Sequence, residues 1–552
     1  MFKFNPILAC DSYKLAHRRM YPEGTEVVYS NFTPRSNKYF NAPKNWSNNS
    51  IVVFGLTGLL KEMVESFKEG FFDRPLDDVL AEYREAIAPF CGVSPEEVEV
   101  DHLVELHNLG YLPIKVKALP EGTLCPMQVP MLTIRNKRGF YWITNYLETW
   151  LSTEGWKPCT SATLAYTLRG VLDYWADTTG GAKEFVQWQG HDFSMRGMSG
   201  VHDAARTGAG HLLSFTGSDT ILAAQYLSKY YSAEGLVAAS VPASEHSVMT
   251  MGGTEGEFDI LDRILFDVHP SGVVSVVSDS YDFWSVMTEY ALSRKDRILS
   301  RTPNSLGMAK VVFRPDSGDP VKILTGYKVC SVSSTKNLEE MMRANQEGYE
   351  AVFDQKTKQY YTFEEVDTGW TTEFDVFPLS QAEALGAVQC LWNIFGGTTT
   401  EKGFRVLHER VGLIYGDSIT VDRASNICKR LADNGFASTN CVFGVGSYSY
   451  QMVSRDTFGL AMKATYGVVN GEGREIFKSP KTDPGKKSAK GLLRVVKESS
   501  GKLVLEDQQT PESEETGELR LVYDNGEFDK EWLESNTLAN IRSRLLSNTT
   551  AF

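Results

Sequence analysis

Between residues 185 and 450 one pattern recurs: a short apolar or β-branched run stops at a polar or glycine cluster, and an amphipathic stretch follows. The runs lie at 185–188, 212–215, 236–239, 273–277, 310–313, 411–414 and 441–443. Their ends are spaced by about one βα unit, with one long gap before the sixth. Runs that are apolar throughout predict strands buried on both faces, and therefore parallel. Seven such units predict an α/β fold, an incomplete or irregular (β/α) barrel over about 151–455. The gap predicts an insertion over about 322–400, with a helix at 380–392, that leaves the barrel period intact.

The flanks have another texture. Residues 1–150 predict helices near 59–67 and 76–87 and a strand at 114–117. Residues 456–552 predict two hairpins, turning at 498–501 and at Asp524-Asn525-Gly526. We expect these ends to combine into a second, mixed α+β domain.

Composition narrows the class. A chain of 552 residues exceeds one simple core. No window approaches the roughly 18 uninterrupted apolar residues of a membrane span. The start lacks the apolar core of a signal peptide, so a cytoplasmic protein with no membrane partner is expected. The eight cysteines are scattered without a C-x-x-C pair, which suggests neither a zinc site nor a disulfide framework. A net charge of −14 argues against nucleic acid as a partner. It leaves room for an anionic small molecule, since a local Arg and Lys cluster outweighs the global field at short range.

Six of the seven run ends carry an ionisable residue: His191 and Asp192, Asp219, Glu245 and His246, Asp279, Arg314 and Asp316, and Asp417. In barrels the chemistry gathers at these C-terminal strand ends. Arg314-Pro315-Asp316-Ser317-Gly318 is the most informative segment. Arg offers a planar donor fork to phosphate, and Asp accepts from sugar hydroxyls or from a Mg²⁺-bound water. The same pair would also serve as a structural salt bridge. Gly446 and Ser447, ahead of a predicted helical stretch at 448–455, offer backbone N–H groups to a phosphate. Asp279 and Asp417 suit ribose hydroxyls and a phosphate-bound Mg²⁺, or else cap the next helix. Arg196 and His246 together favour an anion, and Phe193 offers a shelf for a flat ring. Lys478, Lys481, Lys486, Lys487 and Lys490 crowd a Pro- and Gly-containing loop, as a solvated surface or as a screen for pyrophosphate.

With these residues in hand, the chain resembles the nicotinamide phosphoribosyltransferases, which are type II phosphoribosyltransferases. The matching motifs are Asp11-Ser12-Tyr13-Lys14, His191-Asp192-Phe193 with Arg196-Gly197, and Gly217-Ser218-Asp219-Thr220. Ser240-Val241-Pro242-Ala243, Glu245-His246-Ser247, residues 274–282, Arg314 to Gly318, Gly416-Asp417 and Arg455-Asp456 follow. Lys478, Asp483-Pro484 and Lys486 complete the series, which runs in order from about residue 6 to 490. The resemblance implies that Phe193 and a partner subunit's Tyr13 sandwich the nicotinamide ring, which makes the enzyme a homodimer with shared active sites. It implies that Arg314 holds the amide oxygen and that Asp219 accepts from the amide NH₂. Asp316, Gly416 and Asp417 would fix the ribose, and Gly446, Ser447 and Arg455 the 5′-phosphate. Arg196 and His246 would contact pyrophosphate, and His246 would be phosphorylated by ATP as a coupled co-substrate. Arg35 and Lys486 would approach the phosphates. Asp11, Ser240, Ser275, Pro315 and Lys478 join the substrate-binding set, and Mg²⁺ would travel with pyrophosphate, against Asp279 and Asp316.

Three features depart from the family pattern. Gly446-Ser447-Tyr448 replaces a run of glycines, Ser194-Met195 replaces a more usual Gly-Tyr, and the insertion exceeds that of the animal enzymes. The type I phosphoribosyltransferase signature is absent. A nicotinate phosphoribosyltransferase on the same barrel is the nearest alternative, and a non-catalytic metabolite-binding homologue the next. An aldolase-like phosphosugar barrel would want a Schiff-base lysine or metal-ligating histidines at the strand ends, and neither stands there.

Overall fold

The computed structural model describes residues 4–43, 46, 49–367, 372–477 and 489–547. Six short strands form one sheet in which every neighbour pair is parallel: Gly217–Ser218, Gly190–Asp192, Cys441–Val445, Val411–Tyr415, Val311–Arg314 and Val274–Val277, in that spatial order. The two edges are joined through the segment between them in sequence. Ala239 forms a parallel bridge with Gly217, and Ala243 another with Ser275. The seventh unit thus closes the ring as single bridges rather than a full strand, and the units follow one another around it in chain order.

Three of the seven apolar runs are not strands. Residues 185–188 lie in the helix Lys183–Gln189, and the strand begins at Gly190. Residues 212–215 form the turn after the helix Val201–His211, and only Gly217–Ser218 pair. Residues 236–239 contribute the bridge at Ala239 alone. A four-residue apolar run has too few periods to tell a buried helix turn from a strand, so the position of each unit was legible and its local conformation was not. The later runs are strands as expected, and Val276, Phe313, Leu413, Cys441 and Phe443 pack together as the barrel core.

The insertion is a folded unit. Its four-stranded sheet runs Val329–Val332, Ala351–Asp354, Gln359–Asp367 and Thr372–Leu379. The single helix expected at 380–392 is two, Gln381–Leu385 and Ala387–Phe395, broken at Gly386 with φ +79°.

Chain ends do share a sheet. Its seven strands interleave Thr25–Thr33, Ile114–Ala118 and Leu132–Asn136 with Ala461–Val469, Glu472–Glu475, Arg520–Asp524 and Glu527–Phe528. The helix Tyr141–Thr179 ties this layer to the barrel, its earlier residues entering one core and Ala165 to Ala176 the other. A buried carboxylate pins the join. Glu121 accepts from the N–H groups of Gly55 and Thr57 at 2.8 and 2.6 Å, at the start of the helix Leu56–Phe67. Its own N–H donates to Asn536 at 2.8 Å, and Arg544 of the last helix donates to its carbonyl. Burial pushes the Glu121 carboxyl above its ordinary pKa, and the hydrogen bonds from Thr57 and Gly55 work against that shift.

Glu121→Leu would strand these buried donors. We expect it to cost about 3 kcal/mol or more of stability, read as a lower denaturant midpoint; an unchanged midpoint would contradict the role assigned to Glu121.

Candidate active site

The barrel rim collects the strand ends into one depression. Gly190–Asp192 delivers Phe193, whose N–H donates to the Val445 carbonyl of the neighbouring strand at 3.0 Å. The ring of Phe193 rests on Gly444: a methyl there would stand 2.7 Å from the ring and 2.8 Å from the Cα of Gly416. Only glycine admits that approach. The guanidinium of Arg314 sits 5.9 Å from the centroid of Phe193, and the imidazole of His191 lies 4.7 Å from it.

Asp219 faces the same space. Its Oδ1 accepts from His191 Nε2 at 2.9 Å and from the hydroxyl of Ser240. Burial by itself raises its pKa. The hydrogen bonds from His191 and Ser240, with the charges of His191 and Arg314, outweigh that and hold it below the ordinary aspartate value. It is therefore an ionised acceptor at neutral pH. Arg314 Nε is buried without a hydrogen-bond partner among the described residues. A buried, unpaired donor in a native fold signals a ligand or water.

A second group lies beside it. Asp279 Oδ2 accepts from the N–H of Asp316 at 2.8 Å and the hydroxyl of Ser317 at 2.6 Å. Its Oδ1 lacks a hydrogen bond and faces His246 Nε2 at 3.4 Å, and the Asp279 side chain is 5% exposed against 49% for His246. Gly416 leaves room for Asp316, whose Oδ1 would stand 2.7 Å from a methyl placed there. The density of acid is felt by Tyr415: burial first, then the charges of Asp417, Asp316 and Asp279, push its phenol well above the usual value. Ser275 is buried in the wall, where its backbone pairs with Pro242 and Ser244.

A third group is built from loops. Gly197, beside Arg196, packs on the Ser447 side chain, where a methyl would stand 2.4 Å from Cβ. The helical stretch expected at 448–455 is only the four residues Ser447–Tyr450, followed by a 3₁₀ turn at Arg455–Thr457. Ser454 and Thr457 form a capping box at the start of that turn.

Other expected residues make contacts outside these three groups. Tyr13 is 62% exposed, its ring 5.4 Å from that of His17, and no ring pair with Phe193 exists among the described residues. Asp11 accepts from Thr149 at 2.7 Å, and Arg35 Nε donates to the Gly459 carbonyl at 2.6 Å. Lys478, Lys481, Lys486 and Lys487 lie outside the described residues. Lys490 pairs with Glu475 at 3.1 Å.

Asp192 was named from sequence only as a strand-end acid, and His211 and Lys157 were not singled out. Buried Asp192 accepts from the N–H of Ser194 at 2.9 Å, and its carbonyl accepts from that of Asp219 at 2.9 Å. Buried His211 lies 2.7 Å from the Tyr450 hydroxyl and 3.0 Å from the Gly217 carbonyl, bridging the Asp219 strand end to the Ser447 helix. Buried Lys157 donates to Gln451 at 2.7 Å, and Gln451 donates to Ser199, tying the Arg196 loop to that helix. Asp192 and His191 were visible in a motif at a strand end. Nothing in the neighbourhood of His211 or Lys157 in sequence marks the bonds to Tyr450 and Gln451, which lie more than 200 residues away.

Comparison with known proteins agrees with this geometry. The nicotinate phosphoribosyltransferase (NAPRTase) family model matches residues 188–527, and that of the nicotinamide phosphoribosyltransferase N-terminal domain matches residues 5–116. A nicotinamide phosphoribosyltransferase of Acinetobacter baylyi is 47% identical, covering 100% of this chain and 99% of that protein. One from Mycoplasma pneumoniae is 32% identical, covering 88% of this chain and 94% of its own. The crystal structure of a nicotinate-nucleotide pyrophosphorylase from Pyrococcus furiosus shares the fold, with a TM-score of 0.50 at 14% identity over 100% of this chain and 99% of that one. The chain is a phosphoribosyltransferase of the nicotinate phosphoribosyltransferase family, and it carries the amino-terminal domain of the nicotinamide phosphoribosyltransferases.

Proposed function

We propose that this enzyme joins nicotinamide to C1 of phosphoribosyl pyrophosphate, releasing nicotinamide mononucleotide and pyrophosphate, as a step of NAD salvage in the cytoplasm. The observation that carries this reading is the ionised Asp219 beside the Phe193 shelf and the Arg314 guanidinium. An amide offers an NH₂ to Asp219 and a carbonyl oxygen to Arg314. A carboxylate would meet Asp219 as a like charge. The nearest alternative, nicotinate as substrate, is disfavoured on that ground.

The reaction needs no general base, because the pyridine nitrogen carries its own lone pair. Pyrophosphate leaves C1 through an oxocarbenium-like state while the ring nitrogen attacks, so catalysis rests on positioning and on neutralising the leaving group. Phe193 stacks the ring, and Asp316, Gly416 and Asp417 hold the ribose. Gly446, Ser447 and Arg455 receive the 5′-phosphate, and Arg196, His246 and Arg314 meet pyrophosphate. Among the described residues no three His, Cys, Asp or Glu side chains converge as a metal site. Mg²⁺ is assigned to the substrate, entering with pyrophosphate. The unpaired Oδ1 of Asp279 is the protein atom that suits its hydration shell. The same oxygen facing His246 Nε2 would orient that imidazole, leaving its other nitrogen to take a phosphoryl group from ATP. Tyr13, exposed on its own subunit, is assigned to the ring of a partner subunit in a homodimer.

The direct test incubates the protein with phosphoribosyl pyrophosphate and Mg²⁺ and either nicotinamide or nicotinic acid. Mononucleotide should form from the amide; formation from the acid alone would overturn the Asp219 argument. Arg314→Ala should lower kcat/KM by roughly 100-fold or more with the fold intact, whereas near-normal turnover would remove Arg314 from the site. Because the Asp219 pKa is depressed, its acceptor form persists as pH falls and is lost only below the ordinary aspartate value of about 4. Nicotinamide affinity, followed by titration, should therefore stay flat from neutral pH down to about that point and weaken only beneath it.

A further inference from the structure

We infer that His191 is the residue that sets amide over acid selectivity, by fixing which oxygen of Asp219 faces the substrate. This rests on the reading of Asp219 as the amide acceptor and goes one step behind it. An aspartate on a strand exit has two near-equivalent oxygens and a free χ2, so without restraint either oxygen, or neither, would meet the ring amide. Here Oδ1 takes two donors, His191 Nε2 at 2.9 Å and the Ser240 hydroxyl. No donor among the described residues is bonded to Oδ2, and the Asp219 side chain is 44% exposed toward the depression. Saturating one oxygen leaves the other as the single acceptor presented to a ligand.

The donor itself is held firmly. The His191 side chain is 12% exposed, and its backbone lies in the strand Gly190–Asp192 between two parallel neighbours. Its ring lies against Phe193 at 4.7 Å, so the shelf that stacks the substrate and the donor that aims the acceptor are in contact. His191 supplies the hydrogen bond through Nε2, and no proton transfer is required of it. His191 is therefore a positioning residue, acting on the substrate through Asp219.

Two kinds of damage are separable. Both nicotinamide and nicotinic acid stack on Phe193, so loss of ring support alone weakens both equally. Loss of the Asp219 geometry removes a match for the amide and a repulsion for the acid, so it compresses the ratio between them.

His191→Leu removes the donor, and His191→Gln restores one at a similar reach. In the full-length enzyme with Mg²⁺, phosphoribosyl pyrophosphate and each base, H191L should raise the KM for nicotinamide roughly 10- to 100-fold. Its kcat should fall less than about threefold, the KM for phosphoribosyl pyrophosphate should hold, and the ratio of kcat/KM for amide over acid should shrink by about tenfold or more. H191Q should recover most of the ratio. Unchanged selectivity in H191L overturns the inference, as does a parallel loss for both bases and phosphoribosyl pyrophosphate that H191Q does not rescue. A wild type active only on nicotinic acid would overturn the parent reading and this inference together. A nicotinamide-specific wild type with an indifferent H191L would overturn the inference alone.

Discussion

Closure of the parallel ring is the constraint from which the site follows. Six paired strands leave two open edges, and the backbone of 239–243 satisfies both, through Ala239 to Gly217 and through Ala243 to Ser275. Unpaired edge groups in a buried sheet would each cost a hydrogen bond, so this segment is pinned although it is too short and too bent to be a strand. Its pinning places Ser240 over Asp219 and starts the loop that ends at His246 facing Asp279. Every ionisable strand end then points to the same rim, because parallel strands finish on one side.

The rim works by pairing a rigid wall with atoms left unpaired. Backbone contacts fix Phe193 against Gly444, Asp219 against Asp192, and Asp316 against Asp279. Against that wall stand a buried Nε of Arg314 and a buried Oδ1 of Asp279, each without a hydrogen bond of its own. The cost of burying such a group is one that a ligand can offset. Electrostatics is arranged to match: burial alone would weaken Asp219 as an anion, and its two donors restore it.

The second layer has a different task. The 39-residue helix Tyr141–Thr179 holds the sheet made from both chain ends against the barrel, and Glu121 ties the start of the helix Leu56–Phe67 to the last helix. Arg35 follows the first strand of that sheet and is held by the Gly459 carbonyl, and Asp11 is held by Thr149 of the long helix.

Much of this was written in the local sequence. The seven-unit period, the insertion that does not disturb it, the shared sheet of the termini and the ionisable strand ends were all legible, because burial on two faces and turn chemistry act within a few residues. Arg314, Asp316, Asp219 and Phe193 were identifiable from their place after apolar runs and from a resemblance spread along the chain. Local conformation at 185–188, 212–215 and 236–239 was not legible, since runs that short carry no period. The bonds of His211 to Tyr450, Lys157 to Gln451 and Glu121 to Thr57 and Arg544 were not either, for they cross between 64 and 423 residues of chain. Sequence determined which groups stand at the strand ends; only the closed tertiary structure decided which oxygen of Asp219 is taken by His191 and which is free, because that choice depends on one donor from a strand meeting another from the closing segment 239–243.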